Sequence, residues 1–451
     1  MSAWDLYQST LADPWDLRRV VHLHRRVIFG ASRSEIERDL ADGPHAAVTR
    51  ILDGTVRSEG VPDHFEDLSG IIGLSAVDSA SLDRLRAWWL YRCLYSPDPL
   101  RERLTLMWHN HFATSNVKVN DIRLMKLQNE TIRASAFGPF SNLLRAMSHD
   151  PALLIWLDAP LNKAGIPNEN LAREMMELFA LGTGHYQEID VREAARALTG
   201  CTVRNASFQM NDEMHDVTDK TILNRTGSWN VNDFIDILLE QDAAAERLAW
   251  RLITEFFGEN VVDAAATEEL SQGLREHGLD IRWGMETILR SQLFFSNANI
   301  QSRISDPVSF LLMPLRALEC WRSALSTLVL AEWLGRLGQA LFEPPNVGGW
   351  NGGRNWLSTR TIIARANYVT TIAEGRLASP VRPPSWKECI GIQRDPKEMQ
   401  DSVRSLSQLL FGMDVPAITS VSNEIQNQSD IDIALRSAFT LLMRQPQGHL
   451  H

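Results

Sequence analysis

Cysteine is scarce in this chain: four residues among 451 (Cys93, Cys201, Cys320 and Cys389), widely separated and with no CxxC pair. That spacing argues against a cysteine zinc site and for buried free thiols rather than a disulfide framework. Long apolar runs are missing too. No stretch reaches the roughly 18 apolar residues of a membrane-spanning helix, so no span is expected. The opening MSAWDLYQSTLADPWDLRR lacks a basic segment followed by an apolar one, which makes a cytoplasmic location the expectation. Positive charge is in deficit. With 45 Lys and Arg against 56 Asp and Glu the net charge is −11, and no nucleic-acid partner is expected. Sustained alternation of apolar and polar residues, βα repeats and fixed-period repeats are also absent, which sets aside a Rossmann-type sheet or a solenoid.

What the chain has instead is helix punctuation. Apolar residues make up 44% and charged residues 22%, ordinary for a folded chain that buries a large core. Asp13-Pro14 reads as an N-cap with proline in the first turn, and Gly30 as the end of that helix. Ser32 and Glu35 have capping-box spacing and open a second helix that stops near Gly43. Residues 54–80, polar and glycine-bearing, read as a loop. Helices follow over 81–96, from Asp98-Pro99 through PLRERLTLMWHNHF, over 121–148 with a break at Gly138-Pro139, and as a pair within 167–200 joined at Leu181–Ile189. The 201–231 stretch is polar and reads as an extended loop with room for a short hairpin. Helices resume from Val231 to Leu341, and the turn NVGGWNGG leads into another from Ser358. The expected fold is all-α, a large multi-helix array with one long polar loop around 201–230. A helical core over 1–378, a proline-rich linker at 379–386 and a C-terminal helical segment over 387–451, packing on the core, are the expected units.

Chemistry-bearing residues collect in a few segments. In PLRERLTLMWHNHF, Leu100, Leu104, Met107, Trp108 and His111 share one helical face. His109 is two residues from His111, about 200° around a helix, so the pair cannot chelate one metal as an HExxH pair does. In PNENLAREMMELFALG, Asn168 can cap a helix ended by Gly182, with Asn170, Arg173, Glu174 and Glu177 on one polar strip. Two carboxylates one turn apart suit acid–base work or a divalent cation, and their mutual repulsion raises one pKa. An i, i+4 ion pair between Arg173 and Glu177 is the structural alternative. Asp190 and Glu193 have the spacing of an acidic capping box.

Three further features are weaker. The His215-Asp216 doublet, followed by Lys220, is similar to that of metal-dependent HD phosphohydrolases, but those carry it within a helix and this segment reads as a loop. NVGGWNGGRNW could present backbone N–H groups to an anion but lacks the GK[ST] ending of a P-loop. Most of the fourteen tryptophans sit at core spacings, Trp350 and Trp356 excepted. RRVVHLHRR places Arg18, His22, Arg25 and Arg26 on one face, read as a solvated or partner-facing surface.

The segments HLHRRVIFGASRSEI, PLRERLTLMWHNHFATS, PNENLAREMMELFALG, DVREAARALTG, HDVTDK, SDPVSFLLMPLRAL and PPNVGGWNGGRNWLSTRTIIARANY occur in the order expected of the domain-of-unknown-function 1800 family. The chain resembles that family over nearly its whole length. The resemblance carries over no activity. The polar positions that match its pattern are His109, His111, Asn168, Glu169, Asn170, Arg173, Glu174, Glu177, Asp190, Glu193, His215, Asp216 and Lys220. Cys201 stands where the family usually has tryptophan, and His185 where a histidine is not typical. Family genes commonly adjoin those of the domain-of-unknown-function 1501 family, whose members often carry export signals. That neighbourhood implies a protein of that family as partner and an association with the cell envelope.

These readings converge on a pocket between the helix at 99–112, the helix at 168–181 and the loop at 211–220. Glu174 and Glu177 would supply acid–base or metal-binding carboxylates, and His111 and His215 a ligand or base. Asn168, Asn170, Arg173, Lys220 and Trp350 would bind substrate. A divalent metal, if used, would be held by His111, Glu174, His215 and Asp216. The expected function is hydrolase- or lyase-like, on an envelope glycan or similar polymer. The alternative is a non-catalytic helical adaptor in which the same residues form a structural ion-pair network, with a metal-dependent phosphohydrolase as a third option.

Overall fold

The computed structural model describes residues 2–57, 60–322, 325–377, 385–389, 399–425, 428 and 430–451. It is an all-α array, relieved among the described residues by two small antiparallel hairpins. Residues 379–384 of the expected linker lie outside the described residues, and Trp386 opens a short helix, Trp386–Cys389. Among the described residues no helix is long and apolar enough to cross a membrane.

Helix starts follow capping chemistry. Ser32 and Glu35 close a reciprocal capping box at the head of Arg33–Asp42, and Asp98 caps Pro99–His111. Two expected boundaries shift. The first helix is Leu17–Ile28, capped by Asp16, while Asp13 turns to an ion pair with Arg19. Residues 54–80 are not all loop, because Phe65–Asp78 is a helix. Its glycines misled the reading for a packing reason. A Cβ on Gly73 would stand 2.6 Å from Lys126 Cε and 3.0 Å from Trp88 Nε1, so a larger residue there would have to displace both side chains. The polar 201–231 stretch forms the hairpins Cys201–Arg204 with Ser207–Met210 and Lys220–Ile222 with Arg225–Gly227, in place of an open loop.

Two apolar clusters make the core. One gathers Leu104, Trp108, Phe112, Phe179 and Leu248; the other gathers Trp88, Trp89, Phe342, Tyr368 and, from the C-terminal helices, Leu406 and Leu435. The first helix feeds both, with Leu23 and Val27 in one and Val20 and Val21 in the other. Its basic face is therefore not solvated as the sequence suggests. His22, Arg25 and Arg26 are buried, Arg26 to 1% exposure. Main-chain oxygens make this tolerable. Arg26 donates to Phe256 O at 2.8 Å, Asn299 O at 3.1 Å and His451 O, and Arg25 to Gln447 O at 3.3 Å and Leu450 O. The last segment is anchored beside them, with Ile304 and Leu450 in an antiparallel bridge and His451 N donating to Arg303 O at 2.8 Å.

Buried charge recurs as networks. Glu102, with no solvent exposure, accepts from Arg92 Nε at 2.9 Å and Arg133 Nε at 2.9 Å; Arg92 reaches on to Glu66. Asp150 differs in having no cationic partner among the described residues. It caps Pro151–Trp156 by accepting from Leu153 N at 2.8 Å and takes a second bond from Gln128 Nε2 at 2.7 Å. Burial pushes its carboxyl up to about 7 from 3.8. The unfolded chain thus ionises first, and stability is lost as pH rises from about 4 through about 7. Asp150→Asn, which keeps the cap acceptor, is expected to flatten that decline. Urea midpoints of both proteins from pH 4.5 to 8.5 would check it, and parallel curves would refute it.

Candidate functional site

The segment richest in sequence signal has an unusual backbone. Asn170–Glu174 is α-helical, and Met175–Ala180 widens into a π-helix. Such wide turns are rare and cluster at functional sites. Its last carbonyls turn to side chains for partners, Leu178 O to Arg247 Nε and Nη2 (2.9 and 2.7 Å) and Phe179 O to His111 Nε2 (2.9 Å). Cationic and N–H donors at a helix C-terminus satisfy both the hydrogen bonds and the dipole. The ring of His111 therefore donates from Nε2. Burial, then Arg251 and Arg247, lower its pKa well below the usual histidine range, so the ring is neutral. His109 faces the other core, against Trp89 and Phe342, where burial lowers it to about 3.

On the same segment Glu174 is half-buried and has no hydrogen-bond or ion-pair partner among the described residues. Burial first, and the Glu177 carboxylate second, raise its pKa above the usual carboxylate value. Glu177 accepts from Tyr186 Oη at 3.0 Å. Tyr186 stands in the wall of an open cavity of about 580 Å³, with His185, Gln187, Asp190, Glu193 and Thr221. Burial and the bond to Glu177 push its phenol up to about 12. The expected Arg173–Glu177 pair does not form. Arg173 instead holds Glu169 at 3.0 Å and both oxygens of Glu188 at 2.8 Å.

The other sequence-suggested residues are mostly engaged in structure. Asn168 accepts from Asn170 N at 3.0 Å and its own N–H donates to Asn162 Oδ1 at 2.9 Å, while Asn170 reaches Asp158. His215 lies outside any helix, with Nδ1 2.9 Å from Thr199 O. Burial alone would raise the Asp216 carboxyl, but Arg196 and Thr218 hold it well below the usual range. Lys220 is buried and clamps the loop through Asp216 O and Thr218 O, rather than facing solvent as an anion clamp would. The capping box of Glu188–Ala197 uses Gln187 with Asp190, and Glu193 pairs with Arg196. Trp350 is only 8% exposed, and Asn110 clasps its main chain, accepting from Trp350 N at 2.7 Å and donating to Trp350 O at 3.3 Å.

The structure thus joins Glu174, Glu177 and, through Phe179 O, His111 on one segment, and leaves His215, Asp216 and Lys220 in a separate knot around Arg196 and Thr199. Among the described residues no three His, Cys, Asp or Glu side chains are placed to hold a metal ion. Two residues were missed. Tyr186 carries no motif. Trp250, 45% exposed, was assigned to the core with the other tryptophans, although it lies four residues after Glu246 and three after Arg247, on the polar face of Asp242–Phe256. No curated protein and no solved structure matches the chain. A family model does match, over residues 22–447, and the chain belongs to that family, described as protein of unknown function (DUF1800).

Proposed function

We propose that Glu174, Glu177 and Tyr186, with the cavity beside them, form an acid–base site of hydrolase or lyase type acting on a hydroxyl-rich polymer such as an envelope glycan. The observation that carries the reading is Glu174, a half-buried carboxyl beside a second carboxylate, without a hydrogen-bond or ion-pair partner among the described residues. Arg173 spends its hydrogen bonds on Glu169 and Glu188 and only partly offsets the burial. A carboxyl whose proton is retained to higher pH is a general acid for a leaving oxygen. Glu177, oriented by the Tyr186 hydroxyl, is the base that takes a proton from water or substrate. His111, His215 and Asp216 are hydrogen-bonded to protein groups in different places and take no part in this chemistry.

The test is release of soluble fragments from isolated cell-envelope glycan by the purified protein. Glu174→Gln is expected to lower the rate by about 10²-fold or more. Because the protonated acid is the active form, the wild-type rate should fall as pH rises past the Glu174 pKa. The variant should fold well, since it removes a charge that burial disfavours. An unchanged rate in Glu174→Gln would sink the proposal.

A second reading is the adaptor, in which the Arg173–Glu169–Glu188 and Arg196–Glu193–Asp216 networks fix helices that present a surface to a protein of the domain-of-unknown-function 1501 family. Co-purification with that partner that survives Glu174→Gln, together with no fragment release by wild type, would favour it.

A further inference from the structure

Resting on that acid–base reading, we propose that Trp250 is a stacking platform for a sugar ring, forming a binding subsite next to Glu177. Asp242–Phe256 buries Ala244, Leu248 and Leu252 and turns Glu246, Arg247 and Trp250 outward, so the indole is presented to solvent by the helix register itself. Its position is fixed through Arg247. The Arg247 guanidinium lies 4.1 Å from the ring centroid. That same guanidinium is held by Leu178 O, the carbonyl directly after Glu177. The indole is thereby tied to the segment that carries both carboxylates. The connection runs on through Gly182, where a Cβ would stand 3.9 Å from Arg247 Cδ, and through His185, whose Nε2 lies 3.9 Å from Glu246, to the cavity wall.

The surroundings select the ligand. A protein partner would want a contiguous apolar patch. Here a single aromatic side chain stands one helical turn from Glu246, and His185, 3.9 Å from Glu246, opens onto a cavity that Gln187 and Thr221 also line. An exposed apolar ring face with hydrogen-bonding groups to one side fits a pyranose, which has an apolar C–H face and a rim of hydroxyls.

Titration calorimetry with two soluble probes, β-1,4-linked N-acetylglucosamine hexamer and cellohexaose, tests the subsite separately from turnover. Wild type and Glu174→Gln are expected to bind one of the probes equally. Trp250→Ala should bind it roughly tenfold more weakly, and Trp250→Phe should keep most of the affinity. Saccharide should also shift the tryptophan emission of wild type but not of Trp250→Ala. Equal binding by Trp250→Ala, or no binding of either hexamer by wild type, would overturn the subsite. The fragment-release assay then decides the acid–base reading by itself, so the two failures are distinguishable.

Discussion

Glu102→Ala is expected to cost about 3–5 kcal/mol and to leave much of the protein insoluble on expression. The side chain has no solvent exposure and faces two guanidiniums, Arg92 and Arg133, both largely buried. Arg92 retains Glu66 when Glu102 is removed, but Arg133 is left with Asn129 Oδ1 and the Trp88 ring as partners for its charge. The penalty comes from that stranded cation rather than from the intrinsic worth of the pair, because paired buried ions roughly cancel their own desolvation. Salt should not rescue the variant, since a buried charge is screened little. Guanidinium unfolding of wild type and variant would measure it, and a loss below about 1 kcal/mol would show that the core relaxes around Arg133.

Gly349→Ala is expected to be nearly as damaging, at about 3 kcal/mol, for a geometric reason. Gly349 has φ +76°, and a Cβ there would stand 2.2 Å from Asn110 Oδ1 and 2.5 Å from Asn110 O. The first conflict is with a side chain that clasps Trp350. The second is with helix backbone between His109 and His111, which cannot swing aside. Asn110→Ala should cost less, about 1–2 kcal/mol, through loss of the two bonds to Trp350. Because that variant removes one of the two conflicts, the double variant should fall short of the sum. Thermal melts of the four proteins in a cycle would show this, and strict additivity would mean that the alanine is absorbed elsewhere.

Much of the fold was readable because caps are local. Ser32 with Glu35, Asp98 with Pro99, and Ser358 ahead of Thr359–Ala373 all act where the sequence places them. What stayed illegible depends on residues far away. Gly73 looks like a helix breaker until Trp88 and Lys126 are seen to need its space. The arginines of RRVVHLHRR look solvated until carbonyls from Phe256, Asn299 and the 447–451 segment are brought to them. At the site, the carboxylates Glu174 and Glu177 were legible as a pair. The exchange of partners that gives Glu177 to Tyr186 and Arg173 to Glu188 was not, because both new partners come from beyond the Gly182 turn. Trp250 was legible in principle, from its place on a polar face.

The anchoring of the first helix bears on how the protein is made. Arg26 finds one of its acceptors, His451 O, 425 residues further along the chain, and Arg25 finds another at Leu450. A ribosome that has released this helix must add more than 400 further residues before those oxygens emerge. Until then two guanidiniums sit on a helix whose apolar sides already seek burial, and settling it early would strand them without partners. This helix thus settles long after it is made, which should make the nascent chain depend on chaperones and its refolding slow.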